Sequence, residues 1–342
     1  MSTVLATSLV AGLIALSFPL AAPSAQAVPS EYRVWNIIPV GQAPGEIAIS
    51  RDGRRAYVTN EDSNNVSVIN LKTRAIAAVV RVDTAPRGVA VSPDNRRIYV
   101  SNNGGNAQHL GTVSVIDSKT YRVLRTTPVI ASPENVAIAP DGSTMWVTGR
   151  GAAPMRGAIE TFQLPALELI SGLQGYGEAA EDQGADGVAV VDALTGNRVW
   201  GATYPGMGLV YFYEQGCAVA NCRYQVLVGA NPQGLAFNAN GSRAYVANAD
   251  SDTVSVIDLA SRLVTANIPV GSSPYGVAVG PSKAFVTNFD SDSVSVIDLA
   301  TNTVTQQIPV GDGPSGIAIS RTGAVYVTNV LSNSVSVIRN AG

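Results

Sequence analysis

From Tyr245 to Leu259 the chain reads YVANADSDTVSVIDL, and from Phe285 to Leu299 it reads FVTNFDSDSVSVIDL. A third copy, YVTNVLSNSVSVI, runs from Tyr326 to Ile338. Each copy follows a Pro-x-Gly turn and a short apolar-Ala-apolar run. Working outward, the same order recurs at YVTN (57–60) and YVSN (99–102), and in degraded form at WVTG (146–149). The pieces are four to six residues long, rich in β-branched side chains, alternating in polarity, and bounded by Gly, Pro, Asn and Asp, which is the pattern of strands. One unit therefore consists of strands at Gly88–Val91, Arg97–Ser101, Val113–Ile116 and Arg122–Thr126.

Six such units are plain, and a seventh lies in the middle of the chain. Residues 186–191 (DGVAVV) match 87–92 (RGVAVS), and 198–202 (RVWGA) then match 97–101, with Trp200 in the aromatic place. Leu209–Tyr213 and Arg223–Val228 supply its last two strands. The units begin at Glu46, Gly88, Asn135, Gly187, Gly234, Gly276 and Gly316, spaced by 40 to 52 residues. On this alignment an aromatic fills one position in all seven: Tyr57, Tyr99, Trp146, Trp200, Tyr245, Phe285 and Tyr326. Four antiparallel strands per 40-odd residues is the spacing of a propeller blade. The last unit stops after its third strand, at Ile338, while Tyr32–Ile38 precedes Pro39-Val40-Gly41 as a fourth strand would. The expected fold is all-β: a seven-bladed β-propeller, its last blade closed by the N-terminal strand, which removes the free edge of an open sheet.

The recurring Pro-Val-Gly-x-x-Pro-x-Gly-Ile-Ala-Ile-Ser and Tyr-Val-Thr-Asn elements resemble those of the YVTN-repeat β-propellers, over nearly all of residues 32–338. That resemblance implies an exported bacterial or archaeal surface-layer type of propeller. It is specific for fold, whereas the scaffold hosts binding proteins, structural proteins and enzymes alike. Blades three and four depart from the pattern, with Gly149 in place of the motif Asn and an insertion at 171–185.

Residues 1–27 contain no charged side chain, carry an apolar run from Val4 to Ala22, and end in Ala25-Gln26-Ala27. This reads as an export signal cleaved before Val28, leaving residues 28–342 as one domain in the periplasm, at the cell surface or secreted. An uncleaved anchor is the competing reading, and no later stretch is apolar for long enough to span a bilayer. The net charge of −3, with Lys and Arg dispersed along the chain, argues against nucleic acid as a partner. The only cysteines, Cys217 and Cys222, are expected to form a disulfide in an exported protein.

In a propeller the residues that begin each innermost strand gather around one channel mouth. Here they are Gly45/Glu46, Arg87, Glu134/Asn135, Asp186, Gln233, Tyr275 and Ser315: unlike side chains on a repeated frame, as a specific site would need. His109, the only histidine, and Arg150 lie in loops on the same face. Glu46, Glu134, Asn135 and Asp186 supply hard oxygen donors suited to Ca²⁺, with Glu46, Asn135 and Asp186 the expected metal ligands. Their constellation is similar to the central metal site of calcium-dependent lactonase propellers of the gluconolactonase and paraoxonase types. The recurring Asp/Asn/Ser loops at 61–65, 250–252 and 290–292 read as hairpin caps, and Asp117, Asp258 and Asp298 as turn residues. No covalent haem, dinucleotide, phosphate-loop or His-Glu-x-x-His motif is present. The leading expectation is a binding propeller that recognises a small molecule, glycan or protein partner at the mouth. The alternatives are a calcium-dependent lactonase and, by resemblance alone, an accessory of periplasmic redox or quinone-dependent metabolism.

Overall fold

The computed structural model describes residues 31–104, 111–129, 132–150, 158–174, 187–192, 198–214 and 223–341. Seven four-stranded antiparallel sheets follow one another along the chain. Blades 1 to 6 span 44–81, 86–128, 132–174, 188–227, 232–269 and 274–309. Blade 7 takes Pro314–Ile319, Val325–Asn329 and Ser334–Asn340 from the C-terminus and Tyr32–Pro39 from the N-terminal side. Tyr32 lies opposite Asn340 and Pro39 opposite Ser334, with a bulge at Trp35. The first strand of every blade packs against the first strand of the next, and blade 7 against blade 1, so the ring is closed.

Strand alternation puts every second residue on a blade face, and the core lies between neighbouring blades. Val58 and Ile69 of blade 1, for example, pack with Tyr326, Val335 and Val337 of blade 7. Fully burying each such side chain contributes roughly 1.5–3 kcal/mol. Tyr57, Tyr99, Trp146, Tyr245, Phe285 and Tyr326 all occupy the expected aromatic position and are buried. Trp200 does not. Ala189 lies opposite Gly201, just as Ala48 lies opposite Tyr57, so Gly201 holds the aromatic place and Trp200 precedes it. A Cβ on Gly201 would come within 2.8 Å of Leu235 Cδ2 and 3.0 Å of Phe212, which already fill that space. One residue of slip moves a side chain to the opposite face. Trp200 accordingly faces blade 3, stacked on Tyr213 at 3.8 Å between ring centroids and 5.7 Å from Trp146.

The last motif residue, Asn, fastens the outgoing hairpin. Asn60 donates through Nδ2 to Ser67 Oγ (2.9 Å) and to Asn65 Oδ1 (2.7 Å), and Asn248 and Asn329 donate likewise to Ser255 and Ser336. Gly311 approaches this amide so closely that a Cβ there would sit 2.7 Å from Asn329 Nδ2. Blades 3 and 4 replace the Asn–Ser pair as a unit. Gly149 goes with the buried Glu160, and Tyr204 with Tyr211, whose rings meet edge to face at 4.9 Å.

The residue before that Asn carries a hydroxyl that joins blades. Thr59 Oγ1 accepts from Glu46 N (3.0 Å) and donates to Arg87 O of blade 2 (2.6 Å). Ser101, Thr203, Thr287 and Thr328 make the same pair of bonds, each from its own innermost strand to the next blade's. Blade 5 has the buried Ala247 at this place. The polar loops also bond between blades, not only within hairpins. Asn64, Asp252, Asp292 and Asn333, all left-handed in φ, accept the N–H groups of Ala85, Ser273, Gly313 and Ala43. Asp117, Asp258 and Asp298 accept backbone N–H groups of their own turns, as expected.

Candidate functional site

A cavity of about 200 Å³ opens at the end of the ring where the innermost strands begin. Glu46, Arg87, Glu134, Asn135, Gln233, Tyr275 and Ser315 line it together, with Gly45. Glu61, Phe289 and Val330 also contribute, and these three were not anticipated. They sit just past the motif Asn of blades 1, 6 and 7. Glu61 reaches from there to Arg87 of the following blade (2.9 Å), which explains its arrival at the mouth. Asp186, His109, Cys217 and Cys222 lie outside the described residues. Arg150 ends the strand Thr144–Arg150, opposite Ser132 in the sheet.

Three mouth residues form one ionic array. Arg87 Nη1 donates to Glu134 Oε2 at 2.5 Å, and its Nη2 and Nε donate to Glu61 Oε1 at 2.9 and 3.2 Å. Burial works against the guanidinium charge, but the two carboxylates more than offset it and hold the pKa above its ordinary value. Asn103 Nδ2 adds a bond to Glu134 Oε1 at 3.2 Å. Gln233 is tied through Asn231 Oδ1 (2.6 Å) to Asp250.

Glu46 differs from the other acids. Its carboxyl lies within the ring, and no Lys or Arg among the described residues forms an ion pair with it. Burial pushes its pKa up to about 7, against a smaller opposing effect of the Ile47 N–H. A carboxyl that titrates near neutrality inside a cavity is chemically suited to proton transfer.

The proposed calcium donors are only partly assembled by the described residues. Asn135 Oδ1 accepts from Val136 N at 2.8 Å, and Glu134 is taken up by Arg87. No group of three or more His, Cys, Asp or Glu side chains that could hold a metal occurs among the described residues. The aromatic wall comprises Phe289 and Tyr275, the latter 40% exposed.

Residues 26–156 match the family model described as "Lactonase, 7-bladed beta-propeller". No curated protein sequence matches the chain. Among solved structures, "Kuenenia stuttgartiensis Hydrazine Synthase" is similar in fold, with a TM-score of 0.74 and 22% identity. The match covers 87% of this chain and 96% of that one. The chain is thus a seven-bladed β-propeller whose residues 26–156 are similar to that family model, and the likeness to the solved structure concerns fold alone.

Proposed function

We propose that the protein is a binding propeller that holds a small hydroxylated ligand, of the size and polarity of a single sugar ring, in the channel mouth. The observation that carries this reading is the Glu61–Arg87–Glu134 array beside the exposed Tyr275 in one cavity of about 200 Å³. Carboxylates and a guanidinium fixed by one another offer acceptors and donors in a set geometry, and an aromatic face packs against the apolar side of a ring. Titration calorimetry with neutral hexoses, uronic acids and glucono-δ-lactone tests it. Saturable binding that is lost in Tyr275→Ala and in Arg87→Gln is expected. Binding that survives both substitutions, or no binding to any of the three classes, overturns it.

A second reading is lactone hydrolysis, supported by the family match over residues 26–156 and by the near-neutral Glu46. Glu46 would take a proton from the water that attacks the lactone carbonyl and return it to the ring oxygen as the ring C–O bond breaks, and the hydroxy acid would leave. The same glucono-δ-lactone titration, followed by NMR, separates the readings. Ring opening faster than the spontaneous rate, and lost in Glu46→Gln, favours hydrolysis, whereas bound and intact lactone favours the binding propeller.

A further inference from the structure

Charge is sorted between the two ends of the ring. In blades 1 and 2 and the start of blade 3, the mouth end holds Glu46, Glu61, Asp62, Asp83 and Glu134 against Arg81 and Arg87. The distal end carries four turns from blades 1 and 2: SRDGRR (50–55), NLKTR (70–74), SPDNRR (92–97) and DSKTYR (117–122). These hold nine Lys or Arg and three Asp. The cations are dispersed in sequence, and the repeat brings them to one face because every second turn of a blade lies at the same end.

The three Asp offset only part of this charge: Asp52, Asp94 and Asp117 lie 3.9, 3.8 and 4.0 Å from Arg54, Arg96 and Arg97, and each is also held by its own turn. Asp52 accepts from Ser50 Oγ (2.6 Å) and Arg54 N (3.0 Å), and Asp94 from Ser92 Oγ (2.6 Å) and Arg96 N (3.0 Å). Asp117 accepts from Lys119 N (3.1 Å) and Thr120 N (2.7 Å). Arg54 and Arg96 meanwhile leave 81% and 83% of their side chains exposed.

The chain contains its own control for whether these cations serve the fold. The equivalent turns of blades 5 and 6 are NANGSR (238–243), DLASR (258–262), GPSK (280–283) and DLATN (298–302), with three cations and two Asp. Their backbones are alike: Arg74 and Asn302 both have left-handed φ, at 57° and 54°. Each also closes its turn with one backbone bond, Arg74 N to Asn70 O (2.7 Å) and Asn302 N to Asp298 O (2.9 Å). The turn forms equally well with Ala300 where blade 1 has Lys72, so that cation is not there to build it.

Two further features share this face. A groove of about 510 Å³ between the distal turns is lined by Arg51, Arg96 and Arg97 alongside Asp94 and Asp141. At the blade 7–blade 1 seam Trp35 is 44% exposed, with the guanidinium carbons of Arg74 and Arg339 at 3.5 and 4.4 Å from its ring. Tyr32, opposite Asn340, marks the distal end of the closing strand.

We propose that this distal face docks the propeller on a bilayer containing anionic phospholipids, with the channel mouth turned to the water. Cations spread over several turn tips suit a plane of phosphates. A Trp beside arginines suits the headgroup boundary. The separate turn tips, and the Asp94 and Asp141 carboxylates in the groove between them, favour lipid over nucleic acid, which is tracked by a continuous positively charged groove with stacking aromatics. Docking through this face is independent of what the mouth binds.

The test is co-sedimentation of the full chain at physiological ionic strength with vesicles of phosphatidylcholine, alone or doped with phosphatidylglycerol. The comparison chain carries Arg54→Ser, Lys72→Ala, Arg96→Ser and Lys119→Ala, residues that blades 5 and 6 already place at the matching positions. Both chains keep residues 1–30, so any partition due to that segment cancels. The wild type should prefer the doped vesicles, and the quadruple variant should lose on the order of a thousandfold of that preference. The Lys72→Ala/Lys119→Ala pair should fall between them, with unchanged melting. Equal partition of the wild type to both vesicles, or an undiminished preference in the folded variants, overturns the proposal. So does displacement of the wild type from doped vesicles by duplex DNA at equal phosphate concentration.

Discussion

Thr328 Oγ1 donates to the carbonyl oxygen of Gly45 at 2.6 Å, across 283 positions of sequence, and accepts from Gly316 N at 2.8 Å. A single buried hydroxyl thus ties the last blade to the first. Thr328→Val keeps the shape but leaves the buried Gly316 N–H unmatched and Gly45 O with only the longer bond from Ser315 Oγ (3.3 Å), at a cost of about 1–3 kcal/mol. The melting temperature should fall by several degrees, and Thr328→Ser should recover most of the loss. An unchanged melt in Thr328→Val would show that the hydroxyl is incidental to closure.

Ala247 is the natural counterpart of that experiment. Ala247→Ser places a hydroxyl within reach of Gly234 N, where the other blades already have one. The expected gain is about 1 kcal/mol, a rise of roughly 2 °C in the melting temperature. A fall would mean that the blade 5–blade 6 seam is packed too tightly to accept the oxygen.

Glu46 sets a pH dependence with a definite sign. Its folded-state pKa is raised from 4.5 to about 7 by burial, so the folded protein holds this proton more tightly than the unfolded chain. Stability therefore declines as pH rises from the unfolded value to the folded one, and then levels off. Glu46→Gln should remove that slope, so the variant gains on the wild type between those limits and melts higher at pH 8. Parallel melting curves for the two proteins across that interval would show that Glu46 is solvated.

Calcium provides a separate check on the mouth. With Glu134 paired to Arg87 and Asn135 bonded to Val136, dialysis against EDTA should leave the melting temperature unchanged. A rise on adding Ca²⁺ that disappears in Asp186→Asn would instead bring Asp186 into a metal site with Glu46.

The ring and its closure were legible in the sequence because the forces that make them act on every copy. Tyr326 and Tyr57 are buried by the same packing, and Asn329 and Asn60 fasten the same hairpin. The fourth blade was aligned one residue out at Trp200, since its aromatic position is a glycine whose space Phe212 and Leu235 fill from other strands. The mouth residues at the start of each innermost strand could be read from the frame. Glu61 could not, because its partner Arg87 belongs to the next blade and the pairing depends on how far one loop leans over its neighbour. The gathering of cations at the distal end was hidden for a similar reason, as the turns that carry them lie about 20 residues apart in the chain.

The pairing of Tyr32–Pro39 with Ser334–Asn340 also dictates the order of events during folding. Blades 1 to 6 are each complete within a local stretch of chain, and they can form as it becomes available. Blade 7 must wait for both ends, which is the most expensive loop closure the molecule makes. Until both ends are in place the chain stays an open arc with the apolar faces at the blade 7–blade 1 seam uncovered, and it needs protection from self-association for all of that time.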